Sequence, residues 1–173
     1  MRILALSGSL PAGSSNTALL HALADLAPAG VVAVHPPLDR LPYFSPDAEP
    51  TPAVDELRAA IGAADGVVIA SPEYANSLPG VLKNALDWIV GSGELYDQPV
   101  AVLCASPRIG GGALGRGAIE QTLRAQGARI VLSETVLIRK ANPLADELGR
   151  DTTTAILQTA LAALTTANGT PRA

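Results

Sequence analysis

The sequence is poor in cysteine, aromatic rings and charge. Its only cysteine, Cys104, excludes an intrachain disulfide and any metal site that needs several thiolates. Cys104 lies in the apolar run VAVLCA, which favours a buried strand residue over a reactive thiol. Only 16% of residues are charged and the net charge is −4 with no basic cluster, so nucleic acid is not expected as a partner. A small-molecule partner is expected instead.

The chain also lacks a long apolar segment. No run approaches the ~20 residues that a membrane-spanning helix needs. The start, MRILALSGS, lacks the apolar stretch and small-residue cleavage site of a secretory signal. We therefore predict a cytoplasmic protein without a membrane partner. Its 173 residues suit one domain, residues 1–173, that ends in a flexible tail at about 168–173.

Five short apolar runs are typical of strands buried on both faces of a parallel sheet, because they are continuous rather than alternating. Helix-like patterns separate them, so strands and helices alternate along the chain. The predicted strands cover 2–7, 30–35, 66–70, 100–105 and 128–134. The predicted helices are one that begins near Ser15 and others at 51–64, 79–90, 113–126 and 151–167. The proline-rich segment 35–50 is expected to be an irregular surface excursion.

Right-handed crossovers leave few sheet orders for such a chain. Five strands favour the flavodoxin-like order 2-1-3-4-5 over the six-stranded dinucleotide-binding order. The sequence thus predicts an α/β three-layer sandwich, with a five-stranded parallel sheet and helices on both faces. Ligands bind beyond the carboxyl ends of the strands in such sheets. Three loops follow those ends: 8–16, 71–79 and 106–113.

The first loop, GSLPAGSSN (8–16), comes close to the G-x-x-x-x-G-K-[ST] phosphate loop. It has Ser14 where that motif requires lysine, which argues against a nucleoside triphosphatase. What remains is a set of hydroxyls and backbone N–H groups at a helix N-terminus, which can hold a terminal phosphate. The alternative is that Ser14, Ser15 or Asn16 only caps the helix.

The third loop contains a G-x-G-x-x-G pattern in Gly110, Gly112 and Gly115, and Glu134 follows near the end of the next predicted strand. This is a rival indication of a dehydrogenase that binds a nicotinamide dinucleotide. The residues 106–109 separate the strand from the first glycine, however, whereas the fingerprint needs its glycines in the tight turn itself. The loop could otherwise be a flexible connector, or bring backbone close to a flat ligand.

The middle loop and the helix after it read PEYANSLPGVLKNALDW (72–88). Together with the first loop, this segment resembles the NADPH-dependent FMN reductase family of flavodoxin-like proteins, whose members carry P-E-Y-N-x-S-x-P-G-x-L-K-N-A-x-D-W. The resemblance covers residues 1 to about 135. It implies non-covalently bound FMN, NADPH or NADH as co-substrate, and a small acceptor such as a quinone, azo compound, metal oxyanion or free flavin. The cofactor carries the chemistry, so we nominate no catalytic side chain and no metal ligand.

Carried onto matching positions, the resemblance implies three groups of FMN contacts. The phosphate is expected at Ser9, Ser15, Asn16 and Thr17. The isoalloxazine ring is expected along Pro72, Glu73, Tyr74 and Ala75, and its other side at Ser106, Pro107 and Gly110. Two positions depart from the family. Pro11 replaces an arginine that would meet the phosphate, for which Arg40 or Arg108 could substitute, and Ala75 replaces an asparagine.

The alternative function is a non-enzymatic electron carrier on the same fold. Such carriers cover both flavin faces with aromatic rings and are strongly acidic, whereas this chain is 3% aromatic and only modestly acidic. The resemblance also implies a homodimer or homotetramer formed through the 79–90 helix. Trp88 lies about 110° from the core direction of that helix. We expect it to be covered either by a neighbouring loop or, preferentially, by another subunit.

Overall fold

The computed structural model describes residues 1–138, 143–144 and 149–168. Five strands form one parallel sheet in the order β2-β1-β3-β4-β5, which confirms the predicted order. The strands are β1 (Ile3–Ser7), β2 (Val32–Val34), β3 (Gly66–Ala70), β4 (Pro99–Ser106) and β5 (Arg129–Leu137). The helices are α1 (Ser15–Leu26), α2 (Pro52–Gly62), α3 (Gly80–Val90), α4 (Ala113–Ala125) and α5 (Arg150–Asn168).

Each predicted helix and strand is present, and most of their ends lie within one or two residues of the prediction. The exception is β5, which continues to Leu137 and pairs Thr135 with Cys104. Of the predicted tail, Asn168 is the last residue of α5, and the rest lies outside the described residues. Among the helices that are described, none is both long and apolar enough to cross a bilayer.

Helices cover both faces of the sheet because successive side chains along a strand point to opposite sides. In β4, Val100 and Val102 join the core under α2, α3 and α4, whereas Ala101 and Leu103 join the core under α1 and α5. All four side chains are 0% exposed. The continuous apolar runs of the sequence therefore supply two cores, one on each side of the sheet, and the three-layer prediction is confirmed.

The segment 35–50 is more ordered than its prolines suggested. It contains a short 3-10 helix at Leu38–Arg40, and Leu38 and Leu41 are buried in the core beneath it. The expectation of an irregular surface excursion is therefore wrong for Leu38 to Leu41, and it is confirmed for most of the remaining segment, which is exposed and has no helix or strand. Proline fixes φ without preventing burial of its neighbours, so a segment rich in proline can still have one defined path across the surface.

The prediction that another subunit covers Trp88 is wrong as well. Within one chain its indole is only 2% exposed, because the segment 35–50 folds over α3. Trp88 Nε1 donates to the Pro42 carbonyl at 2.8 Å, and the ring of Phe44 meets the indole edge-on, with 5.3 Å between ring centroids. Asn84 fixes the same loop, since it accepts from the Phe44 N–H and donates to the Pro42 carbonyl.

Replacing Phe44 with alanine removes the ring that packs on Trp88, and we expect it to lower the free energy of unfolding by about 1–2 kcal/mol. Trp88 is the only tryptophan, so its fluorescence reports on this contact. The emission should shift to longer wavelength as water reaches the indole. Tyr43→Ala is the control, because that ring is 94% exposed and its loss should leave the emission unchanged. An unshifted spectrum for Phe44→Ala would contradict the packing.

Candidate functional site

Hydroxyl groups shape the loop 8–16 between β1 and α1. Ser7 Oγ lies 2.7 Å from Thr17 Oγ1 and accepts from the Ser9 N–H at 3.2 Å, so it links the end of β1 to the first turn of α1. Ser14 is the N-cap residue, and its hydroxyl accepts from the Thr17 N–H at 3.4 Å. The expectation that a residue of this loop caps the helix is confirmed for Ser14.

The N-terminus of α1 keeps backbone donors for a ligand. The first turn of a helix has N–H groups without intrahelical acceptors, and those of Ser15 and Asn16 have no acceptor in the part of the chain that the structure describes. Residues 11–13 in front of this turn are exposed, and the turn itself contains no acidic residue. The field at this end of the helix therefore favours an anion.

A two-residue turn holds the loop 71–79 in shape. Tyr74 and Ser77 exchange two backbone hydrogen bonds of 3.0 Å, and both residues between them, Ala75 and Asn76, have positive φ, 48° and 60°. Positive φ at both central positions is typical of a type I′ turn, which favours Asn and Gly. Ala75 thus adopts a strained backbone, and the asparagine found in the family at this position suits the turn itself.

Glu73 joins this loop to α4. Its Oε2 accepts from the Gly115 N–H at 2.8 Å, in the first turn of the helix. The N-cap residue, Gly112, has no side chain to offer, so the Glu73 carboxylate supplies the negative charge that a helix N-terminus favours. A Cβ on Gly115 would lie 2.9 Å from the Glu73 Cβ and 3.0 Å from its Cα. Gly115 is therefore needed so that the two segments can pack together.

The glycine-rich loop packs on β4 instead of standing open for a dinucleotide. A Cβ on Gly112 would collide with the Cys104 thiol, and one on Gly111 would collide with the Ser106 hydroxyl. The dinucleotide fingerprint places a pyrophosphate at the helix N-terminus, where the Glu73 carboxylate already lies. The G-x-G-x-x-G pattern is thus explained by packing. The helix N-terminus that a dehydrogenase would use for the pyrophosphate is occupied by Glu73, which argues against the rival dehydrogenase interpretation.

A polar network behind the glycine-rich loop supports it. Thr135 Oγ1 donates to the Gly111 carbonyl at 3.1 Å and accepts from Arg116 Nε at 3.1 Å. Arg116 also donates to Ser133 Oγ at 2.6 Å, and Ser133 donates to Glu120 Oε1 at 2.6 Å. The hydrogen bond from Ser133 lowers the pKa of Glu120. The extension of β5 beyond its predicted end supplies Thr135 to this network.

Cys104 lies under the same loop and is 2% exposed. Burial raises the pKa of its thiol, and the positive charge of Arg116 offsets this only in part. The thiol is therefore protonated at neutral pH, and the prediction of a buried structural cysteine is confirmed. Among the residues that the structure describes, no group of three His, Cys, Asp or Glu side chains could hold a metal ion.

A side-chain bond connects the start of α1 to the end of β4, and two others fix the start of the third loop. Asn16 Oδ1 accepts from the Ala105 N–H at 2.9 Å, and Asn16 is 4% exposed, so its amide nitrogen is the part that could meet a ligand. Ser106 Oγ accepts from the Arg108 N–H at 3.2 Å and donates to the Arg108 carbonyl at 3.1 Å. A cleft of about 360 Å³ lies beside these bonds, lined by Glu73, Arg108, Ile109, Gly110, Gly111, Ala113 and Leu114.

All the residues singled out from the sequence for cofactor contact lie on the three loops or in the first turn of α1, at the carboxyl edge of the sheet. Whether each touches a ligand stays a prediction. The sequence did not reveal Ser7, whose hydroxyl organises the first loop, nor the bond that the Glu73 side chain makes to α4. A hydroxyl as the last residue of β1 was the available signal for Ser7. The spacing of residues in the sequence does not indicate the contact that Glu73 makes with α4.

The fold is that of a flavodoxin-like ligand-binding protein. Its open parallel sheet has, at the carboxyl edge, rigid loops and a helix N-terminus that can bind an anion. The sequence profile of the NADPH-dependent FMN reductase family matches residues 1–143. The chain belongs to that family, and the suspected resemblance is confirmed. The family's cofactor is FMN, with a reduced nicotinamide nucleotide as co-substrate.

Individual proteins agree with this assignment. An NAD(P)H-dependent FMN reductase of Pseudomonas aeruginosa is 34% identical over 155 residues, which cover 87% of this chain and 84% of that protein. A 2-hydroxy-1,4-benzoquinone reductase of a Burkholderia species is 37% identical over 129 residues, 72% of this chain and 68% of that one. Several other relatives are matched over only 55–61% of their own length.

A solved structure is also similar. FerB, a flavoenzyme NAD(P)H:(acceptor) oxidoreductase from Paracoccus denitrificans, superposes on this structure with a TM-score of 0.81. The two chains are 26% identical, and the match covers 95% of this chain and 97% of FerB.

The arrangement of charges at this edge fits FMN. Three helices, α1, α3 and α4, begin at the ends of the three loops. The Glu73 carboxylate lies at the start of α4, whereas in the first turn of α1 the Ser15 and Asn16 N–H groups have no acceptor among the described residues. The FMN phosphate suits this end, because it can accept from the Ser15 and Asn16 N–H groups. The cleft of about 360 Å³ lies within the range of small-molecule sites and has backbone of Gly110 and Gly111 in its wall.

We expect Ala75→Asn to raise the free energy of unfolding by about 0.5–1 kcal/mol, because asparagine tolerates positive φ better than alanine does. Chemical denaturation followed by circular dichroism measures the change. Ala29→Asn is the control, an exposed turn position without positive φ, where the effect should stay within about 0.5 kcal/mol. Equal effects at the two positions would contradict the strain assigned to Ala75.

Proposed function

We propose that this chain is an FMN-dependent oxidoreductase that takes a hydride from NADPH or NADH and reduces a small acceptor, with quinones and flavins foremost. The observation that carries the proposal is the contrast between two helix N-termini. That of α4 is filled by the Glu73 carboxylate, whereas that of α1 offers N–H groups to a phosphate. Names of relatives support the acceptor class, since one is a benzoquinone reductase and another an FMN reductase. A cytoplasmic location, where reduced nicotinamide nucleotides are found, is part of the proposal.

The chain's task in this function is to bind and orient. Ser9, Ser15, Asn16 and Thr17 hold the phosphate at the first turn of α1. The backbone of residues 72–75, fixed by the turn at Ala75 and by the Glu73 bond to α4, lies along the isoalloxazine ring. Ser106, Pro107 and Gly110 border its other side. Bound FMN supplies the hydride-accepting and electron-donating chemistry, so the protein needs no acid, base or nucleophile of its own.

A test begins with the visible absorption of the purified protein, with and without added FMN, followed by anaerobic addition of NADPH or NADH. We expect FMN to bind and its absorption to bleach with at least one nicotinamide nucleotide. Absence of FMN binding would refute the proposal. Binding without bleaching by either nucleotide would instead point to the non-enzymatic electron carrier.

The phosphate position is tested by Ser15→Asp, which places a carboxylate on the first turn of α1. Repulsion between two close negative charges should weaken FMN binding at least ~100-fold. The same substitution should keep or slightly raise stability, because acidic residues at helix N-termini stabilise by about 0.3–1 kcal/mol. Ser15→Asn is the matched control, nearly the same shape without the charge. FMN titration by fluorescence should separate the two, and equal affinities would show that the phosphate binds elsewhere.

We further propose that the chain forms a homodimer, or a homotetramer made of two such dimers, through α3 and the loop that folds over it. Asn84 fixes that loop to α3, so the two present one continuous surface. The surface contains an open depression of about 500 Å³ with Leu10, Tyr43 and Val81 in its lining. Tyr43 is 94% exposed and Leu10 46% exposed, and because both line the same depression they form an exposed apolar patch of the kind that marks an interaction site.

Sedimentation velocity at micromolar concentration tests this assembly. We expect the wild-type protein to sediment as a dimer or tetramer, and Tyr43→Asp to raise its dissociation constant at least ~10-fold, because a buried unpaired charge at an interface is costly. Tyr96→Asp introduces the same charge at another exposed tyrosine and should leave the assembly intact. A monomeric wild-type protein would contradict the proposal.

A further inference from the structure

The three loops at the carboxyl edge contain only two charged residues, Glu73 and Arg108. The Glu73 carboxylate accepts from the Gly115 N–H at the start of α4. Arg108 is anchored only through its backbone, whose N–H and carbonyl both bond the Ser106 hydroxyl at 3.2 and 3.1 Å. Its guanidinium makes no ion pair or hydrogen bond with any described residue. A fixed backbone therefore holds an unpaired positive charge at the rim of the site.

The surroundings of Arg108 suit a ligand that is partly flat and partly anionic. Arg108 lines the same cleft of about 360 Å³ as Glu73 and Gly110. Its neighbours on the rim are apolar: Ile109 is 90% exposed and Leu114 is 59% exposed. Exposed apolar side chains next to a lone cation can cover a ring system while the guanidinium bonds an oxyanion. Arginine is well suited to phosphate because its planar fork can donate two parallel hydrogen bonds.

Other described basic side chains do not compete for this role. Arg116 is bonded to Thr135 and Ser133 behind the loop. Arg40 lies beside a separate, very small cavity with His35 and Glu56. The FMN phosphate has its own donors at the first turn of α1. The cation at the cleft is therefore left for a second anionic molecule, and the reactants of the proposed function include one that is rich in phosphate.

We propose that Arg108 is a specificity-determining residue that binds phosphate groups of the incoming nicotinamide dinucleotide. The inference rests on the proposed function, because it assigns the site of its co-substrate. NADPH and NADH share a diphosphate, and NADPH carries a further phosphate on its adenosine ribose. A neutral quinone offers no phosphate, so with that class of acceptor Arg108 discriminates between the two reactants of one flavin site and favours binding of the reductant.

Arg108→Gln tests the proposal in the FMN-loaded protein. Loss of a charge-assisted phosphate contact should raise KM for the nicotinamide nucleotide roughly 10–100-fold, with kcat nearly unchanged because the contact exists before and during reaction. Calorimetry with NADP⁺ should show a matching loss of affinity. The Kd for FMN and the KM for a neutral quinone should stay the same. Arg108→Lys keeps the charge and should recover part of the affinity.

The control is Arg2→Gln, which removes an exposed cation at the opposite, amino edge of the sheet and should change none of these constants. A rise in KM for NADPH alone assigns Arg108 to the ribose phosphate, and an equal rise with NADH assigns it to the diphosphate; both support the proposal. Unchanged NADP⁺ affinity in Arg108→Gln, or a loss confined to FMN or quinone, overturns it.

The same experiment separates this inference from the proposed function. Wild-type protein that is bleached by NADPH, while Arg108→Gln behaves identically, refutes the role of Arg108 alone. Wild-type protein that binds FMN but is reduced by neither nucleotide refutes both. The salt dependence of NADP⁺ affinity is a second measurement. Screening by added salt should weaken NADP⁺ binding to the wild type more than to Arg108→Gln.

Discussion

Burial of a parallel sheet on both faces is the constraint on which the rest of this molecule depends. Strands such as β4, with Val100 to Leu103 entirely inaccessible, can be covered only if helices cross from one strand to the next on either side. Every crossover then leaves from the carboxyl end of a strand, and the loops after β1, β3 and β4 converge on one edge. The place of the site follows from core burial before any particular side chain is considered.

The chemistry available at that edge depends on the N-termini of the helices that begin there, α1, α3 and α4. Each helix N-terminus attracts an anion. The chain neutralises α4 with its own Glu73 and leaves α1 to its backbone donors. The same bond fixes the backbone of residues 72–75, so one carboxylate both occupies a competing anion site and sets the shape of the loop that we propose for the flavin ring. Gly115 makes this possible because it leaves room for Glu73.

The sequence predicted the fold well because hydrophobic burial on both faces leaves a strong local pattern. It predicted which loops converge, since that depends on topology alone. It failed where a side chain's partner lies far along the chain. Nothing near Trp88 indicates that the Pro42 carbonyl would meet its indole, 46 residues away. Likewise, the strain at Ala75 depends on a turn closed by Tyr74 and Ser77, and the glycine pattern was misleading because spacing does not say which atoms a glycine makes room for.

The bond from the Ala105 N–H to the Asn16 side chain has a consequence for the thermodynamics of ligand capture. It fastens the start of α1 to the end of β4, so the region proposed for a phosphate and the region proposed for a ring belong to one stiff frame. The conformational entropy of arranging them is lost when the chain folds, not when a ligand arrives. Affinity at this edge is therefore set in part by an amide that is almost entirely hidden from solvent.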